Sequence, residues 1–176
     1  MSFVGQVSET QAGPQLKQIY EKLRENFGFV PNYFQALGRA PRVVAAHLAL
    51  MDTIMEDGAL SRALKEEIGL VVSGINSSSY CIAIHMELLR RLGVEKALGR
   101  KLVTDYPNAP VEEKEKVLFR FADKLTRKPF EITQADADAV RQAGWSEDAL
   151  VETVLMVAWL NFINRVSTGL GLVAEI

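Results

Sequence analysis

Cysteine is almost missing from this chain: Cys81 is the only one in 176 residues. No intramolecular disulfide can form, and a reducing compartment is the simple expectation. An excess of one charge is missing too. Lys+Arg 20 against Asp+Glu 22 leaves a formal charge of −2, which predicts no broad attraction to nucleic acid or to an anionic membrane surface. The longest uninterrupted apolar segment, Val154–Leu160, is far short of the roughly 20 residues that a membrane span needs. The opening stretch MSFVGQVSETQ has no basic segment followed by an apolar core, so no signal peptide is expected. Together these absences point to a cytoplasmic protein. Gly 12 is too little for a collagenous chain. What is there is a chain 48% hydrophobic and 24% charged, the balance of one compact folded domain over residues 1–176.

The pattern is helical nearly throughout. Leu16, Ile19, Tyr20, Leu23 and Phe27 recur at three- and four-residue steps with mostly polar residues between them. Pro31 and Pro41 each stand where a helix can begin, and Val43–Met55 reads as a largely apolar helix. Ser61 is a candidate N-cap for a helix to about Ile75. Asn76-Ser77-Ser78-Ser79 interrupts the pattern with four residues that favour caps and turns. A helix over Tyr80–Leu92 then stops at Gly93. Another spans about Glu95–Thr104, Pro110 opens a further one, and Thr133 with Asp136 forms a capping box before a helix closed by Gly144. Ser146 starts the last, which runs to Gly169. Strand alternation is nearly absent. The expectation is an all-α domain of seven or eight helices, too many for a four-helix bundle.

Chemistry concentrates at Glu66 and Ser78-Ser79-Tyr80-Cys81-Ile82-Ala83-Ile84-His85. Cys81 and His85 are four apart on a helix and share a face. Cys81 falls in the first turn after the serine loop, where free backbone N–H groups favour a thiolate. His85 is placed to hold or relay the proton, and Glu66, on the preceding helix, to orient His85. That is a nucleophile, a base and an orienter in outline. Plainer readings stand beside it. A lone helical Cys is commonly a small buried hydrophobe, His85 a satisfied core or interface residue, and Glu66 one more solvated charge. A metal held by Cys81, His85 and a carboxylate needs a third ligand, and His47 is the only other histidine. His47 itself, among Ala45, Ala46, Leu48 and Ala49, reads as structural or as an interface residue. Trp159, Phe162 and Phe121 read as core rather than as a stacking platform.

The stretch Glu66-Glu67-Ile68 … Asn76-Ser77-Ser78-Ser79-Tyr80-Cys81-x-x-x-His85 resembles the signature of the alkylhydroperoxidase D / carboxymuconolactone decarboxylase superfamily. In peroxidase members that signature is a Glu, eleven residues, then Cys-x-x-Cys-x-x-x-His. Gly28-Phe29-Val30-Pro31-Asn32 with Pro41, and Trp159-x-Asn161-Phe162-x-Asn164-Arg165, are similar to the peroxidase-related branch. The likeness thus extends over about residues 13–172, with the motif core at about 60–93.

The resemblance implies an alkylhydroperoxidase D-like fold and a thiol-dependent peroxidase acting on hydrogen peroxide or a small organic peroxide. Cys81 would be the nucleophile, with His85 and Glu66 at the proton-relay positions. Tyr80, Asn161 and Arg165 are candidate pocket residues. No metal or organic cofactor is implied; an external thiol or dithiol reductant is, and so is a homo-oligomer, trimer or hexamer. One position departs from the pattern: the first cysteine of the motif is Ser78. Serine cannot close a disulfide, so the two-cysteine cycle is chemically closed to this chain and only a one-cysteine cycle through a sulfenic acid remains. Two other readings keep the fold: a decarboxylase-like lyase acting on a cyclic acid lactone, and a non-enzymatic helical oligomer or redox sensor.

Overall fold

The computed structural model describes residues 2–175. Among them there is no β-strand, and nine α-helices carry the fold. They are α1 (Pro14–Phe27), α2 (Asn32–Leu37), α3 (Pro41–Met55), α4 (Arg62–Ile75), α5 (Ser79–Arg91), α6 (Lys96–Asp105), α7 (Glu113–Arg127), α8 (Gln134–Gln142) and α9 (Glu147–Gly169). The all-α expectation holds. The one helix beyond seven or eight is α2, a six-residue element that starts directly after Pro31.

The helix ends follow local chemistry. Ser61 Oγ accepts the Leu64 N–H at 3.3 Å, and Ser146 Oγ accepts that of Ala149 at 3.1 Å. The Thr133 N–H donates to the Asp136 carboxylate at 2.8 Å, one limb of the anticipated capping box. Pro110 does not open α7. That helix starts at Glu113, and Glu112 is its cap, with its N–H held by Glu115 Oε2 at 3.0 Å. An acidic capping box set the start there, where the proline alone was a weaker signal.

Helix α4 is the axis of the molecule, with α5, α6, α7 and α9 packed around it. Every residue from Leu64 to Ser73 is buried, as a helix enclosed on all sides must be. Three of those residues carry charge, and each solves its burial differently. Lys65 Nζ donates to the Glu56 carbonyl at 2.5 Å and pairs with Glu152 at 3.0 Å. Glu66 is held by Arg62 and His85. Glu67 faces a like charge, and burial first, then Glu115, push its carboxyl up to about 7.

Helix α9 is long and apolar enough to cross a membrane by length and composition. Here it is a core helix against α4 and α7, and its Thr153, Asn164 and Ser167 are buried. Its other side is apolar as well: Val151 (55% exposed), Leu155 (50%) and Phe162 (47%) face outward. On α3 beside it, Val43 and Leu50 do the same.

The Glu67 carboxyl keeps its proton in the folded chain at pH values where the unfolded chain, with an ordinary value of 4.5, has lost it. Its contribution to stability therefore falls as pH rises from about 4.5 to about 7 and levels off above. Glu67→Gln removes that loss. The stability of the variant relative to the wild type, read from urea unfolding, should grow by on the order of 2 kcal/mol across this window. A difference independent of pH would show that Glu67 titrates as if in water.

Candidate active site

The joint between α4 and α5 positions the candidate nucleophile. The Ser78 N–H donates to the Ser73 carbonyl at 2.9 Å and the Ser77 N–H to that of Gly74 at 3.0 Å. These are the two bonds of a Schellman motif closing α4. Ser77 takes the left-handed conformation the motif requires, at φ 53. Ser78 is at once the last residue of this closure and the N-cap of α5. Cys81 is therefore the third residue of α5, in the turn whose backbone N–H groups have no partner within the helix.

Cys81 is 2% exposed. Its Sγ lies 3.4 Å from Ser167 Oγ on α9, and Ser78 Oγ lies 3.2 Å from the same atom. Ser167 Oγ also donates to the Asn164 carbonyl at 3.1 Å. With its one proton so placed, Ser167 receives the Cys81 S–H and the Ser78 O–H. When Cys81 ionises, that same proton has the thiolate to turn to. Ser167 stands 86 residues away from Cys81 in sequence, and no spacing signal announced it.

One turn further along α5, His85 Nδ1 meets Glu66 Oε2 at 2.5 Å. The other carboxylate oxygen accepts from Arg62 Nε at 2.7 Å. Burial raises the Glu66 carboxyl, but the bond to His85, the His85 charge and the Arg62 guanidinium outweigh it and hold the group below the usual carboxylate range. Glu66 is thus a buried anion with both oxygens occupied, and it fixes which His85 nitrogen is engaged, leaving Nε2 for other work. The spacing of Glu66, Cys81 and His85 placed all three; Arg62, one turn before Glu66, went unnoticed.

His85 lies flat on α4 at Gly69. A β-carbon there would stand 2.7 Å from His85 Cε1 and 2.8 Å from Nδ1. A mid-helix glycine is tolerated because the ring needs that space.

Cys81, His85 and Glu66 all line one cavity of about 70 Å³. Its remaining wall is mostly apolar and aromatic: Phe34 and Tyr33 from α2, His47 and Met51 from α3, Trp159 and Ile163 from α9. Tyr80 lines it as expected. Its hydroxyl accepts the Tyr33 N–H at 3.1 Å, which ties the Pro31 segment to α5. Asn161 and Arg165 do not line the cavity, contrary to expectation. Asn161 Oδ1 receives Asn76 Nδ2 at 3.0 Å and Arg165 at 2.6 Å. Asn164 Oδ1 receives Asn76 at 2.9 Å. These residues clamp the α4–α5 joint to α9 because their polar groups satisfy one another there. Among the described residues no group of three His, Cys, Asp or Glu side chains is placed to hold a metal ion.

The carboxymuconolactone decarboxylase family model matches residues 41–97, the span that includes the joint, Cys81 and His85. A peroxidase-related protein from Silicibacter sp. TM1040 superposes with a TM-score of 0.88 at 28% identity, over 93% of this chain and 86% of that one. Over residues 41–97 the chain thus resembles the carboxymuconolactone decarboxylase family, and its fold is the alkylhydroperoxidase D-like one. Two more members of this fold superpose at lower identity. An alkylhydroperoxidase D core protein from Ralstonia eutropha JMP134 gives a TM-score of 0.93 at 23% identity over 99% of this chain and 92% of that one. The debrominase Bmp8, solved in complex with 2,3,4-tribromopyrrole, gives 0.84 at 22% over 98% and 91%. No curated protein matches by sequence.

Gly69→Ala tests the packing of His85. Helix propensity alone favours alanine by about 1 kcal/mol. The clash with the His85 ring should reverse the sign and cost a net 1–2 kcal/mol or so in chemical denaturation. A stabilised variant would show that the ring has room to spare.

Proposed function

We propose that the protein is a thiol-dependent, peroxidase-like oxidoreductase that reduces hydrogen peroxide or a small organic peroxide through a one-cysteine cycle. The observation that carries this reading is one cavity wall holding Cys81 and His85, with His85 Nδ1 bonded to the buried Glu66 at 2.5 Å. The Cys81 thiolate attacks the terminal peroxide oxygen. The O–O bond breaks, Cys81 becomes a sulfenic acid and the departing alkoxide leaves as the alcohol with a proton relayed by His85. An external thiol then condenses with the sulfenic acid, releasing water and leaving a mixed disulfide. A second thiol displaces Cys81 and restores it. The structural neighbours described as peroxidase-related support the same class.

A lactone decarboxylase has less support. A substrate carboxylate wants a free cation, and the one arginine on the cavity wall, Arg62, is engaged by Glu66; Arg165 is bonded to Asn161 outside it. The non-enzymatic reading predicts an unreactive thiol. Mass spectrometry after one equivalent of peroxide separates the readings. Wild type should gain one oxygen, or form an adduct when thiol is added. Ser78→Cys should instead lose two hydrogens as a 78–81 disulfide, because both side chains already reach Ser167. Cys81 left unmodified in both proteins would overturn the peroxidase reading.

The outward apolar residues of α3 and α9 support a homo-oligomer, which the family resemblance implies is a trimer or hexamer. Val43 and Leu50 lie on one face of α3, and Val151, Leu155 and Phe162 on one face of α9. The Phe162 and His47 rings, 5.6 Å apart, join the two faces. Sedimentation at micromolar concentration should show the assembly, and Leu155→Glu should shift it towards monomer. A wild-type monomer would refute it.

A further inference from the structure

Two side chains that line the cavity each carry a buried polar atom with no partner in the protein. The Tyr33 hydroxyl and Trp159 Nε1 are buried without a hydrogen bond, on side chains belonging to residues only 3% and 7% exposed. Both residues line the cavity that holds Cys81. Phenylalanine at position 33 would fill nearly the same volume without the cost of an unpaired buried donor. The His47 ring stands between them, 5.3 Å from the Tyr33 ring and 5.9 Å from Trp159.

The charge state of this end of the cavity narrows the ligand. Burial holds His47 down to about 4, so it is neutral at neutral pH. Burial, and then the charge of Cys81, push the Tyr33 phenol up, so it remains a donor. Arg62, the cavity's cation, is spent on Glu66. A carboxylate would therefore lose its hydration without gaining a counter-charge. A neutral oxygen would gain donors that now have nothing to bond. Around those donors the walls are aromatic: the Phe34 ring packs 5.2 Å from Tyr33 in an edge contact and 5.6 Å from His47, an arrangement that suits a flat ring.

We propose that Tyr33 and Trp159 form a recognition subsite for a small, neutral aromatic molecule that bears a hydrogen-bond-accepting oxygen beside the ring. The chemistry after binding rests on the peroxidase reading: an aryl hydroperoxide seated there brings its peroxide to Cys81. Binding itself does not depend on that chemistry.

Acetophenone tests the subsite, because it does not oxidise thiols and is read whether or not Cys81 consumes peroxide. Its isostere α-methylstyrene carries CH₂ in place of the carbonyl oxygen. In ligand-observed NMR titrations of the reduced wild-type protein, acetophenone should bind about tenfold more tightly than α-methylstyrene, and benzoate should bind more weakly than acetophenone. Tyr33→Phe should erase most of the gap between the two isosteres while its thermal midpoint does not fall, since no protein bond is lost. Trp159→Phe should narrow the gap likewise. Equal affinity for the isosteres, benzoate binding as tightly as acetophenone, or an affinity for acetophenone unmoved by Tyr33→Phe would overturn the subsite. So would a fall in the midpoint of Tyr33→Phe, which would give the hydroxyl a structural partner. Tight acetophenone binding by a protein whose Cys81 ignores peroxide would keep the subsite and remove the peroxidase reading.

Discussion

The Glu66 carboxylate has no exposed surface, and a buried anion is tolerated only where neighbours replace its hydration. Arg62 and His85 do so, one on each oxygen. Much of the site follows from that requirement. Arg62 is fixed one turn earlier on the same helix. His85 must reach across from α5, which sets how α5 lies on α4, and the ring can come close enough only where Gly69 leaves out its side chain. Removing His85 would leave the carboxylate short of a partner, so the pair proposed to carry the proton is also a packing element. Stability and the proposed chemistry draw on the same two residues.

The thiol end is built differently. Beside Cys81 the polar groups are hydroxyls: Ser167 on α9 and, bonded to it, Ser78 at the start of α5. Among the described residues, the one arginine on the cavity wall, Arg62, is paired with Glu66. Electrostatic help for a thiolate comes from the free N–H groups of the first turn and from rotatable O–H groups. The wall opposite is aromatic.

How much of this could be read in the sequence depended on range. Caps at Ser61, Thr133 and Ser146 were legible because a cap bonds within three residues of itself. Cys81 and His85 were legible as a pair because one helical turn separates them, and Glu66 because the break at Asn76–Ser79 folds α4 back against α5. Ser167 was not legible. Its contact spans about half the chain, and a serine near a helix end has many ordinary uses. Trp159 and His47 read as core and as structure, and both are buried; that they border a cavity is a fact of how α3 and α9 meet, which periodicity does not encode. Asn161 and Arg165 were placed in the pocket because they are polar on an apolar helix. The same polarity serves the clamp on Asn76, where the groups satisfy one another. Pro110 misled for a related reason: proline permits a helix start, whereas the acidic pair Glu112 and Glu115 enforces one.

The α4–α5 joint contains no spare residue, since Ser78 ends one helix and begins the next. Each added or deleted residue would turn α5 by about 100° about its own axis. Cys81 and His85 would swing together away from the cavity, Glu66 would lose its partner, and Asn76 would lose its register with α9. Substitutions here act on single contacts. A change of length acts on all of them at once, so the spacing between Glu66 and His85 is the dimension of this molecule least free to drift.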